Sequence, residues 1–168
     1  MSTPANASRG THLPAPAGVV HVLNPGDVAI GTRDDRLETL LGSCIAVVLT
    51  DPRRTIGAMC HIVHGRPAPA GERHNAAFAD VAMERMFALI RARGITPGLC
   101  EAYVYGGGNM FPQVFRHAHV GDCNAACALQ ALADAGIRVL ARDTGGQVYR
   151  RLSWTVGPLP PTVCAVSV

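Results

Sequence analysis

The sequence predicts an α+β fold in which mixed β-sheets and flanking helices pack as a layered α/β sandwich. Short apolar runs rich in β-branched residues occur toward both ends of the chain, and two segments with helical spacing lie between them. The 168 residues are 48% apolar, which is enough for one core without metal or disulfide staples. Strands at both ends with helices inserted favour a mixed sheet over a doubly wound parallel one.

The first half of the chain supplies four predicted strands. Residues 18–24 and 26–32 have strand character and are separated by a Pro-Gly turn. The run "SCIAVVLTD" (43–51) has the length and β-branched content of a buried strand. Residues 55–63 should pair with it as a hairpin, because only "DPRR" separates the two.

The second half combines helices and strands. Met83, Met86, Phe87 and Ile90 recur at helical spacing, which predicts a helix over 75–92 that stops before a glycine. The remaining predicted elements are a strand and glycine turn over 99–108, a helix over 123–135, and strands over 137–143, 148–154 and 162–168.

Composition argues against several classes of protein. The longest unbroken apolar run, Cys44 to Leu49, is far shorter than the ~20 residues of a membrane helix, so no membrane insertion is expected. Residues 1–17 lack a secretory pattern and suggest a flexible lead-in to a single domain over 18–168, in a cytoplasmic protein. All 15 cations are Arg, but no basic run exceeds two residues, so no nucleic-acid partner is predicted.

Cys44 is the first candidate for chemistry. It stands where a turn-prone Gly-Ser pair meets a buried strand, and a nucleophilic thiol needs a nearby base. His61 is the best candidate base, because it falls on the predicted partner strand, where opposed side chains come within reach. The residues alone leave open a buried thiol beside a satisfied core histidine.

Two further features would complete such a site. Thr39 lies five residues before Cys44 and can orient an imidazole through its hydroxyl. Backbone N–H groups around Gly42 and Ser43 can converge on one point, as an oxyanion hole requires.

Five ordered blocks of the sequence resemble the CheD family of chemoreceptor glutamine deamidases. They are "TLLGSCIAVVLTDP", "GAMCHIV", "YGGGNMF", "VGDCNA" and "ARDTGGQVYRR", within about residues 20–157. The resemblance implies a Cys44 nucleophile, a His61 base and a third member at Thr39. A one-residue shift in the upstream turn would place Glu38 there instead, so both assignments stay open.

The resemblance also implies an activity and partners. The expected reaction is hydrolysis of glutamine side-chain amides on the cytoplasmic domain of a methyl-accepting chemoreceptor, without a metal or other cofactor. A fold similar to the catalytic domains of deamidating bacterial toxins is implied as well. The alternative is a non-catalytic chemotaxis adaptor on the same scaffold, which binds receptors or a CheC-type phosphatase.

Two glycine-rich segments are candidates for the substrate cleft. "YGGGNMF", with Gly107 and Asn109, lacks the features of a P-loop and is typical of a tight turn at a cleft border. "DTGGQ", with Asp143 and Thr144, is either a turn between strands or, by the resemblance, part of the substrate-binding face.

Metal binding is the chemical alternative. Cys60, His61 and His64 are clustered, and Cys123 and Cys127 lie one helical turn apart. Adjacent residues of a strand point to opposite faces, however, and the paired knuckles of a structural zinc site are missing. The sequence therefore favours a site without metal.

Overall fold

The computed structural model describes residues 17–167, so the expected lead-in lies, except for Ala17, outside the described residues. Within this range the chain forms strands β1 to β9, helices α1 and α2, and 3-10 turns at Ala70–Glu72 and Pro97–Leu99. The elements in chain order are β1 Val20–Val22, β2 Val28–Thr32, β3 Arg36–Leu41, β4 Ile45–Thr50, β5 Ile56–Ile62, α1 Ala79–Ala92, β6 Glu101–Gly106, α2 Val120–Asp134, β7 Arg138–Thr144, β8 Val148–Thr155 and β9 Thr162–Ser167.

The strands form two sheets. One has five strands in the order β2-β5-β4-β6-β7, and the other has four in the order β1-β3-β8-β9. Both are mixed, because β6 pairs in parallel with β7 and β1 pairs in parallel with β3. Helix α1 packs on β5 and β2, and α2 packs on β6, β4 and β7. The predicted layered α+β class is confirmed.

The five-stranded sheet is the central layer, buried on both faces. In β4, Ile45 and Val47 join the core beneath the helices, whereas Ala46 and Val48 join the core shared with the four-stranded sheet. Successive side chains alternate between faces in this way along any strand. The unbroken apolar run of β4 is therefore that of a strand covered on both sides.

Strand β3 was not predicted from the sequence, although it carries Thr39. Its residues Leu37, Thr39 and Leu41 are buried and alternate with more exposed neighbours. The first two predicted strands are confirmed as β1 and β2, which lie in different sheets.

The β4–β5 hairpin forms with a register two residues away from the predicted one. Ala46, not Cys44, lies opposite His61. The turn is longer than expected because the Asp51 carboxylate accepts from the N–H groups of Thr55 and Ile56, at 2.7 and 3.0 Å. A shift of two residues preserves the face, so Cys44 and His61 still point to the same side of the sheet.

Both helices differ from their predicted starts. Helix α1 begins at Ala79 instead of residue 75, because Asn75 forms a side-chain turn to the N–H of Ala77, whose carbonyl in turn accepts from Val63. Helix α2 begins at Val120 instead of residue 123, and the His119 side chain accepts from the second N–H of the helix.

Candidate active site

Thr39 and His61 come from different sheets and meet in the layer between them. Both side chains are buried, and Thr39 Oγ1 lies 2.8 Å from His61 Nδ1. The Thr39 hydroxyl donates its one hydrogen to the carbonyl of Leu23, at 2.8 Å. It must therefore accept from His61, which places the ring hydrogen on Nδ1 and leaves the Nε2 lone pair free.

Nε2 of His61 is buried and has no hydrogen-bond partner among residues 17–167. Burial lowers the pKa of His61 below its ordinary value, with smaller opposing effects from the Leu23 carbonyl and the Asp27 charge. The imidazole is thus neutral near pH 7, with an unused lone pair. These are the properties of a general base.

Cys44 lies directly before β4 and packs against the core between the sheets, on the side that His61 faces. It is partly exposed, and burial raises the pKa of its thiol. The Sγ is not hydrogen-bonded to His61 Nε2. Near pH 7 the two groups are therefore a neutral thiol and a neutral imidazole.

A glycine turn after β6 holds the Cys44 loop in place. The N–H groups of Gly107 and Gly108 donate to the carbonyls of Cys44 and Gly42, both at 2.8 Å. Gly106 has φ +114°, and a Cβ there would lie 2.1 Å from the Cys44 carbonyl oxygen. Only glycine fits this approach, which explains the first glycine of the three.

Asn124 is a site residue that sequence reasoning missed. Its buried side chain on α2 donates to the carbonyls of Ser43 and Val63, each at 3.0 Å, and accepts from the N–H of Gly65 at 2.5 Å. It thereby links the Cys44 loop to the chain that leaves the His61 strand. The only signal in the sequence was its place in the "VGDCNA" block.

Two depressions share part of their lining, and the smaller one reaches the Cys44 loop at Ser43. One, of about 210 Å³, is lined by Ser43, Gly108, Asn109, Met110, Phe111, Phe115, His119 and Val120. The other, of about 500 Å³, shares Phe115, His119 and Val120 with it. Exposed apolar side chains, among them Phe111 and Val114, occur within residues 111–120, which contribute to both linings. Neither lining includes Cys44 or His61, and the exposed apolar side chains suit contact with another protein.

The structure places the other predicted site residues as follows. Gly107 holds the Cys44 carbonyl and Asn109 lines the smaller depression, whereas Asp143 and Thr144 line neither depression. Asp143 instead pairs with the buried Arg150 at 2.8 Å. The two glycine-rich segments are joined, because Asn109 donates its backbone N–H to the carbonyl of Gly146.

Glu38 lies on the other face of β3 from Thr39. Its carboxylate pairs with Arg36 at 2.7 Å and accepts from Ser153. Of the two candidates for the third member, Thr39 is the one in contact with His61.

No group of three potential metal ligands among His, Cys, Asp and Glu occurs within residues 17–167. Cys60 belongs to the core under the helices, and the next residue, His61, points the other way. Neither α1 nor α2 has the length and apolar character needed to cross a membrane.

Comparisons with known proteins agree on one family. The family model for CheD, described as chemotactic sensory transduction, matches residues 66–157, all C-terminal to Thr39, Cys44 and His61. A probable chemoreceptor glutamine deamidase CheD from Pseudomonas savastanoi pv. phaseolicola is 36% identical over 141 residues, which cover 82% of this chain and 80% of the relative.

Two relatives from other organisms have similar sequence identity and coverage. Probable chemoreceptor glutamine deamidase CheD 3 from Dechloromonas aromatica is 34% identical over 80% of both chains. Probable chemoreceptor glutamine deamidase CheD from Methanococcus vannielii is 31% identical over 74% of this chain and 81% of that one. The chain belongs to the CheD family.

Proposed function

We propose that this chain is a cysteine-dependent protein-glutamine deamidase that converts glutamine side chains of chemoreceptors to glutamate. The names of its relatives supply the substrate and the reaction. The observation that carries the mechanism is His61, whose Nδ1 is held by Thr39 and whose Nε2 is free on the face toward Cys44.

The first half of the reaction acylates the thiol. As the glutamine amide enters, the Cys44 proton passes to Nε2 of His61 and the sulfur forms a bond to the amide carbon. The carbonyl oxygen becomes an oxyanion, which the Cys44 backbone N–H can stabilise. His61 then gives the proton to the amide nitrogen, and the C–N bond breaks. Ammonia leaves, and a thioester between Cys44 and the substrate remains.

The second half hydrolyses the thioester. Water gives a proton to Nε2 of His61 as its oxygen attacks the same carbon. The C–S bond then breaks, the sulfur recovers the proton from His61, and a glutamate carboxyl is released. Thr39 acts throughout by holding Nδ1–H, which keeps Nε2 as the atom that accepts and returns the proton.

Mass spectrometry of a receptor tests this function. The purified cytoplasmic domain of a methyl-accepting chemoreceptor is incubated with the chain, and its peptides are searched for Gln-to-Glu conversion. Conversion is expected with the native chain and with Cys60→Ala, and none is expected with Cys44→Ala. Full activity of Cys44→Ala would refute the thiol mechanism, and no conversion by the native chain on any receptor would refute the activity.

A chemotaxis adaptor is the second candidate. The exposed apolar residues Phe111, Val114 and Val120 suit protein docking without catalysis, and the resting thiol is neutral and not bonded to His61. An adaptor would bind a purified CheC-type phosphatase with equal affinity before and after Cys44→Ala, and it would deamidate no receptor.

A further inference from the structure

We propose that Asn124 is a positioning residue that aims the backbone N–H of Cys44 at the oxyanion of the reaction. The inference rests on the proposed deamidase mechanism and deepens it. Asn124 lies on α2, and its side chain forms hydrogen bonds with Ser43, Val63 and Gly65 but with neither Cys44 nor His61.

The contacts of Asn124 use its whole amide. The side chain is 1% exposed, its Nδ2 group donates to the carbonyls of Ser43 and Val63, and its Oδ1 accepts from Gly65. Because two partners are acceptors and the third is a donor, the orientation of the amide is fixed by its surroundings. A carboxylate or an apolar side chain at this position cannot make the two donations.

The contact with Ser43 determines where the Cys44 N–H points. The carbonyl of Ser43 and the N–H of Cys44 belong to one planar, trans peptide unit, so they point in opposite directions. When Nδ2 of Asn124 holds that carbonyl against α2, the N–H is turned away from α2 and cannot rotate. Preorganised donors of this kind stabilise a developing charge without reorganisation during the reaction.

The rest of the loop agrees with this assignment. The carbonyls on either side of the unit, those of Gly42 and Cys44, are held by Gly108 and Gly107. Three successive carbonyls are thus bound by donors. Among residues 17–167, however, no backbone carbonyl outside the strand ladders receives the N–H of Cys44, and the ladders of β4 begin only at Ile45. A free N–H on the nucleophile itself, in a loop whose carbonyls are all held, is the arrangement of an oxyanion donor.

Asn124→Asp and Asn124→Ser test the inference through two reactions of one thiol. Deamidation passes through an oxyanion, whereas alkylation of Cys44 by iodoacetamide does not. Loss of one oxyanion donor lowers kcat by roughly 10²–10³, so we expect a misdirected donor to lower kcat for deamidation at least tenfold. KM and the alkylation rate of Cys44, followed by peptide mapping, should change less than about twofold, since neither depends on that donor.

Leu132→Ala is the matched control, because Leu132 is fully buried on the same helix and touches the core under the sheet. It should lower stability without changing kcat per folded molecule. A parallel fall of kcat and alkylation in the Asn124 variants would mean that Asn124 only holds the loop together, and the proposal would be wrong. Unchanged kcat in both variants would overturn it as well.

A measurement on the native chain does not depend on how the variants fold. A peptide aldehyde that replaces the glutamine amide adds to Cys44 and places its oxygen where the oxyanion forms. The amide proton of Cys44 should move downfield in the NMR spectrum of this adduct, whereas an adduct with no such shift would refute the assignment. If the native chain forms the shifted adduct but converts no receptor glutamine, the proposed function fails and the oxyanion assignment stands.

Discussion

The two faces of the five-stranded sheet bury side chains of different character. On the face under the helices, the sheet contributes apolar residues such as Val47 and Cys60, which share a core with Met86 of α1. On its other face the sheet shares a core with Trp154 and further apolar residues of the second sheet, and His61 is buried there against Thr39 of β3. A single strand supplies both faces, since Cys60 and His61 are neighbours.

The difference separates residues that only stabilise the molecule from those for which we propose a catalytic role. Burial raises the pKa of Cys60 to about 12, against a smaller opposing effect of a hydrogen bond with the Val47 backbone, so its thiol stays protonated near pH 7. Burial also raises the pKa of Cys44, but Cys44 is partly exposed and points to the same face of the sheet as His61. Position relative to the sheet, more than residue type, distinguishes the two cysteines.

Removing the two thiols one at a time should give the largest difference between the two faces. Cys44→Ala should lower receptor deamidation by at least about a thousandfold, because the nucleophile is lost. Cys60→Ala should keep full activity and cost about 1 kcal/mol of stability, from a small cavity. Ammonia release and urea denaturation measure the two effects, and loss of activity in Cys60→Ala would remove the distinction between the faces.

A large cavity on the helical face should affect stability alone. Met86 is fully buried on α1, and Met86→Ala should lower the free energy of unfolding by about 2–5 kcal/mol. Because α1 packs on the opposite side of the sheet from Cys44, kcat per folded molecule should stay the same. A fall in kcat at temperatures where the variant is fully folded would show that the two faces are coupled.

A smaller change on the other face should affect both properties. Thr39→Val leaves Nδ1–H of His61 and the Leu23 carbonyl without their shared partner. Unsatisfied buried groups cost about 1–3 kcal/mol, so stability should fall by that amount. Loss of ring orientation should lower kcat by roughly ten- to a hundredfold, as expected for an interaction of the same energy.

Two variants control the Thr39 prediction. Thr39→Ser keeps the hydroxyl and should retain most of the activity. Glu38→Gln changes a side chain that faces away from His61 and pairs with Arg36, so it should leave kcat unchanged. A larger loss of kcat in Glu38→Gln than in Thr39→Val would reverse the assignment of the third member.

The sequence predicted most of the architecture and missed the strand that completes the site. Strand β4 was predicted from its β-branched apolar run. Strand β3 has the sequence "RLETLL", in which only Thr39 is β-branched. It is a strand because it pairs with β1 on one side and β8 on the other. Such long-range pairing leaves no local signal, so Thr39 looked like a turn residue.

The register of the β4–β5 hairpin and the bond between Asn124 and Ser43 could not be predicted from the sequence for the same reason. The position of Cys44 relative to His61 depends on how many residues the turn consumes, and the Asp51 side chain decides that. Asn124 lies 81 residues after Ser43, and only the docking of α2 on the sheet brings them together. Spacing between Cys44 and His61 indicated a pair, whereas the groups that orient the pair come from distant segments.

The smallest expected effect is a pH dependence of stability that arises from His61. Burial lowers the pKa of His61 in the folded chain, whereas the unfolded chain takes up this proton near pH 6.5. Below about pH 6.5 the unfolded state therefore binds a proton that the folded state does not bind. As the pH decreases, the free energy of unfolding falls until the pH passes the lowered pKa of His61. Denaturation series of the native chain and of His61→Gln should show a steeper loss for the native chain in this window. Parallel curves would show that His61 is protonated as easily in the folded chain as in the unfolded one, and that the face toward the second sheet does not keep its base neutral.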